Sequence, residues 1–83
     1  MDPTLIASMI KKAIADAEVQ VTDLTGTRNH YSVVVISREF EGKLPIKQHR
    51  MVNAALAAPL ATGELHALQL ATYSPAQWNA IQK

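Results

Sequence analysis

Three histidines, His30, His49 and His66, are the side chains of this sequence best suited to hold a metal ion, and no cysteine accompanies them. Without thiols the chain can form neither a disulfide nor a thiolate metal site of its own, so any soft-metal chemistry must borrow sulfur from a partner. Imidazoles alone can bind zinc, but these three lie far apart in sequence and match no zinc-site spacing. A lone histidine at a strand edge is ordinarily a surface or hydrogen-bonded residue, and that is the default reading of His30 and His66. His49 lies three residues before Val52 at the border of an apolar helical stripe and reads as a hydrogen-bonded packing residue. The other chemistry is cationic. Lys47 and Arg50 are three apart on one expected helical face, and Lys43 precedes them in a turn, so together they could present a small positive patch to phosphate. A solvated face is the plainer reading, and the chain has no GXXG motif of the kind that clamps a nucleic-acid backbone. Lys43, Lys47 and Arg50 therefore stand as candidate contacts to a partner or to nucleic acid, with weak backbone contact the most they can offer. No serine, histidine and acid order, no paired carboxylates and no phosphate-cradling glycine loop can be picked out, so catalysis is not expected.

These residues must be carried by one small domain, residues 1–83. The 48% hydrophobic and 18% charged composition supplies a core and argues against a disordered tail. A formal net charge of +1 gives no global reason to expect an anionic partner. The N-terminus shows no basic region followed by a long apolar run, and about 18 consecutive apolar residues occur nowhere, so the expected location is cytoplasmic, without a membrane span.

Leu5, Ile6, Met9, Ile10, Ala13, Ile14 and Ala17 recur at the spacing of one helical face, with Asp2 and Pro3 as cap and first-turn residue. "EVQVTDL" alternates as a half-buried strand, and "HYSVVVIS" follows as a more fully covered one, the two forming an antiparallel hairpin around "TGTRN". In "FEGK" the chain reverses at Gly42. Pro45 then opens a second helix, whose stripe is Met51, Val52, Ala55 and Leu56 and which Pro59 closes. "GELHALQLATY" reads as a third strand, with Leu65, Ala67 and Ala71 on the face toward the core and His66, Leu68 and Leu70 on the other. Ser74 and Pro75 start a terminal helix that Trp78 anchors into the core. The order is α, β, β, α, β, α: an α+β fold with the helices on one face of a three-stranded sheet.

"SREFEGK", "QHRMVNAAL", "ELHAL" and "TYSPAQW" occur in the order and spacing of the BolA-like family, which the sequence resembles over essentially its whole length. The resemblance implies a fold similar to the class II K-homology domain. It also implies a partner, a monothiol glutaredoxin, sharing a bridging [2Fe-2S] cluster for which glutaredoxin and glutathione supply the thiolates. The family's ligand candidates correspond here to His66 in "ELHAL" and His30 at the end of "TGTRNH". On this basis the chain is expected to act as an iron-sulfur adapter in cluster trafficking or iron and redox regulation. Alone it is expected to carry no cofactor and to be a monomer or weak homodimer. The alternative is a nucleic-acid-binding transcriptional regulator.

Overall fold

The computed structural model describes residues 2–23, 30–63, 65 and 67–81. Helix α1 (Pro3–Ala13) starts where the sequence places it: the Thr4 amide donates to Asp2 Oδ1 at 2.8 Å, and Pro3 takes the first helical position, where an amide would lack a partner. The helix stops at Ile14, whose extended backbone ends the ladder, yet Ile14 and Ala17 remain buried beyond it. The apolar spacing thus continues past the helix because the connection to β1 also lies against the core.

Strand β1 (Glu18–Asp23) pairs antiparallel with β2 (His30–Ile36), Val19 opposite Val35 and Val21 opposite Val33. Strand β3 (Ala67–Tyr73) adds parallel to β2, from His30 opposite Ala67 to Ile36 opposite Tyr73, giving a mixed sheet in the order β1-β2-β3. Paired residues share a face of the pleat. Tyr31, Val33 and Val35 therefore form one row set with Val19, Val21, Leu68 and Leu70, and this face packs on Ile6 and Ile10 of α1 and on Val52 of α2 (Pro45–Ala55). Phe40, Leu56 and Leu65 complete the core.

Three expectations are corrected. The helical region after Pro45 is two helices, α2 and α3 (Ala57–Thr62), separated by Leu56. Pro59 does not close α2; it is buried within the first turn of α3, where a missing amide leaves no helical bond unmade. Gly63, at φ +80°, ends α3 instead. Second, Leu65 precedes β3 rather than belonging to it, its amide donating to the Pro59 carbonyl at 3.2 Å. It is a core residue, but the alternation cannot be counted from it, and the strand turns Leu68 and Leu70 toward the core. Third, Trp78 on α4 (Pro75–Ile81) is not a core anchor. No described side chain of α4 is buried, and Trp78 rests on Tyr73 with ring centroids 5.3 Å apart at 52°. The start of α4 is as expected and is reciprocal: the Gln77 amide donates to Ser74 Oγ at 3.2 Å, and the Ser74 amide to Gln77 Oε1 at 2.9 Å.

The segment joining β2 to α2 contains a 3₁₀ turn, Arg38–Phe40, and is tied down at both ends. At the first end the Ser37 hydroxyl donates to Asp16 Oδ1, and the Arg38 amide donates to Asp16 Oδ2 at 2.9 Å. At the second, buried Gln48 donates through Nε2 to the carbonyls of Phe40 and Lys43, both at 3.0 Å, and accepts from the Thr72 hydroxyl at 2.8 Å.

Candidate functional site

His30 is the first residue of β2, and its backbone pairs with Ala67, the first residue of β3 and the one that follows His66 in the chain. The parallel pairing brings the two strand starts to one end of the sheet, with about 4.8 Å between adjacent strands. Asp23, the last residue of β1, pairs with Tyr31 at the same end. His66 lies outside the described residues, as does the imidazole of His30. The third histidine is elsewhere. His49 is half-buried on α2, and among the described residues none hydrogen-bonds its ring. The hydrogen-bonded packing role expected of His49 belongs to its neighbour Gln48, only 1% exposed, because one step along the helix turns the side chain by about 100° from the rim into the interior.

The cationic residues lie around the start of α2. Lys47 and Arg50 are exposed, and Lys43 is exposed with its ammonium donating to the Glu39 carbonyl at 2.6 Å. Leu44, 72% exposed, and Ile46, 61% exposed, lie among them, so the surface is amphipathic rather than simply basic. Sequence reasoning passed over both. The signal was available: Ile46 is four residues before Arg50 and seven before Asn53, away from the Met51, Val52, Ala55 and Leu56 stripe.

At the other end of the sheet Asp16 is the charged group with the best-defined surroundings. The Ser37 hydroxyl, then the Arg38 amide, then the Arg38 side chain stabilise its carboxylate and hold its pKa below the usual 3.8 against the opposing effect of partial desolvation. The Arg38 guanidinium approaches at 3.5 Å but is 79% exposed, so the two neutral donors lead. Ser37 and Gln48 both escaped sequence reasoning, since a short polar side chain is seen to be buried only when its partners from distant segments are in place.

Among the described residues no helix is long and apolar enough to cross a membrane. The family model "BolA-like protein" matches residues 7–77. BolA-like protein 1 of Homo sapiens is 47% identical over 53 residues, which take in 64% of this chain and 38% of that protein. The DNA-binding transcriptional regulator BolA of Vibrio cholerae is 38% identical over 58 residues, 70% of this chain and 54% of that protein. The matched segment thus spans well under two thirds of either relative. Among solved structures, BolA1 from Arabidopsis thaliana superposes with a TM-score of 0.81 at 28% identity, over 90% of this chain and 93% of that one. With the α+β order, the mixed three-stranded sheet and a family match over nearly the whole chain, this protein belongs to the BolA-like family.

Proposed function

We propose that the chain is an iron-sulfur adapter that pairs with a monothiol glutaredoxin and contributes His66 and His30 to a shared [2Fe-2S] cluster. The observation that supports this best is the pairing of His30 with Ala67, which joins the starts of β2 and β3 at one sheet end. The donor set fits such a group: with no cysteine in the chain, imidazole is the donor suited to iron, and the thiolates come from glutaredoxin and glutathione. When bound, the cluster supplies electron storage or transferable iron and sulfide. The chain's own part is the register that sets the backbone of His30 beside Ala67 at the strand starts, and a folded surface for the partner.

The test is reconstitution of the parent, His66→Ala and His30→Ala with glutaredoxin, followed by visible circular dichroism. Mixed nitrogen and sulfur ligation is expected to give a spectrum unlike that of the all-thiolate glutaredoxin homodimer. His66→Ala should abolish the heterocomplex spectrum while the apo domain stays folded, and His30→Ala should weaken or reshape it. A His66→Ala spectrum identical to the parent's overturns the ligand assignment.

A second reading, contact with nucleic acid, is favoured by the exposed Lys47 and Arg50 and by the name of the Vibrio cholerae relative. These residues supply phosphate contacts without base readout, so the association should be weak and salt-sensitive. DNA binding that persists at physiological salt, tighter than glutaredoxin binding, would reverse the order of the two readings.

A further inference from the structure

The end of the sheet opposite His30 holds a cleft of about 330 Å³ lined by Asp16, Glu18, Ile36, Arg38, Trp78 and Asn79, among others. The register builds it. Glu18 pairs with Ile36 and Ile36 with Tyr73, so the three form one row across the sheet on the face away from the core. Trp78 leans on Tyr73 at the end of that row and supplies the aromatic wall. Ile36 is buried as the apolar floor. The six steps from His30 to Ile36 put this cleft roughly 20 Å from the histidine end.

The charges decide what the cleft can take. Arg38 is paired with Asp16, whose two oxygens already accept from the Ser37 hydroxyl and the Arg38 amide. Two carboxylates against one guanidinium leave one negative charge, and among the described residues Glu18 has no ion-pair or hydrogen-bond partner for its side chain. An exposed carboxylate facing an indole across an apolar floor complements a flat cation: its plane can stack on the ring while its edge reaches the carboxylate. The size suits one side chain, being at the low end of the range for pockets that hold whole small molecules.

We propose that this cleft is a docking site for a single arginine side chain presented by an exposed segment of a partner protein. Trp78 stacks on the guanidinium, Glu18 pairs with it, and Asn79 borders the same space. The site is separate from the histidine end, so a partner held here does not occupy the strand starts.

The sole tryptophan of the chain makes the test direct. The full chain is titrated with acetyl-Ala-Arg-Ala-amide and with the citrulline peptide of the same shape, following Trp78 emission and the indole N–H resonance. The arginine peptide should give a saturable change, and the neutral peptide should bind at least about threefold more weakly. Glu18→Gln, which alters an exposed side chain and should leave the thermal midpoint unchanged, should weaken the arginine peptide by about threefold to fivefold, the range of an exposed ion pair. Equal responses to the two peptides overturn the proposal, and so does undiminished binding to a folded Glu18→Gln protein.

Discussion

Gln48 shows how one side chain can join three segments. Its amide donates to two carbonyls of the 38–44 segment and accepts from the hydroxyl of Thr72 on β3; the bonds to Phe40 and Thr72 are buried and the one to Lys43 is partly so. Gln48→Leu fills the space but leaves the buried Thr72 hydroxyl without its acceptor and the Lys43 carbonyl without the Gln48 donor, while the Phe40 carbonyl keeps the Lys43 amide. A buried polar group left unpaired costs about 1 to 3 kcal/mol. Urea denaturation of this variant should show a loss of at least about 2 kcal/mol; a loss under about 0.5 kcal/mol would mean that water takes over the bonds. Asp16 gives a pH-dependent counterpart at the other end of the same segment. Its carboxyl is held below its ordinary pKa by Ser37 first and by the Arg38 amide second. A depressed folded-state pKa means that the unfolded chain binds the proton more readily, so the contribution is present above about pH 4 and lost as pH falls through the folded value. Thermal midpoints recorded from pH 6 to pH 3 should therefore fall less steeply for Asp16→Asn than for the parent. Parallel curves would remove Asp16 from the acid response.

Among the elements, the aromatic residues Phe40 and Trp78 have different weights. Phe40, in the 3₁₀ turn, is buried in the core, whereas Trp78 on α4 covers Tyr73 from outside it. Phe40→Ala should cost about 3 to 5 kcal/mol, the usual range for emptying a buried aromatic site. Trp78→Ala should cost roughly 1 to 2 kcal/mol, since it removes one partly buried ring contact and leaves no interior cavity. Chemical denaturation of the pair is decisive, because an equal loss would place α4 within the cooperative core. Gly42 makes a separate point about the turn into α2. Its φ is +73°, and a Cβ added there would meet nothing within 4 Å. Gly42→Ala should therefore cost about 1 to 2 kcal/mol through backbone conformation alone. A neutral Gly42→Ala would show that the turn has another accessible backbone path.

Across the whole molecule, the parallel pairing of β2 and β3 gives the sheet two unlike ends. The histidine end gathers strand starts, and the other gathers Glu18, Ile36 and Tyr73 beneath Trp78. The amphipathic start of α2 is a third surface, where Leu44 and Ile46 lie among Lys43, Lys47 and Arg50. If those three cations are the DNA contact, a plot of log affinity against log salt concentration should have a slope of about −2 to −3, because each neutralised phosphate contributes about −0.9. Replacing all three with glutamine should remove most of that slope. A steeper slope, or one unchanged in the triple variant, would place the DNA contact elsewhere.

The element types were legible along the chain wherever a local rule governs them. Asp2 and Pro3 start α1 and Ser74 caps α4 because a cap is settled within four residues. The Val19 and Val21 alternation and the Val33 to Ile36 run mark strands because burial on one face or on both leaves a period in the sequence. What failed was whatever depends on a segment distant in sequence. Pro59 looked like a helix terminator because its missing amide is visible in the sequence, while the second helix around it depends on burial against the core. Leu65 reads as a strand residue in the sequence because alternation has no origin until pairing with β2 fixes where β3 begins. Burial of Gln48 and Ser37 required partners 24 and 21 residues away. The histidines could be proposed from residue type and family resemblance, but the pairing of His30 with Ala67 rests on the parallel register. Register is a long-range hydrogen-bonding choice, and no local pattern in either strand encodes which residue of one faces which residue of the other.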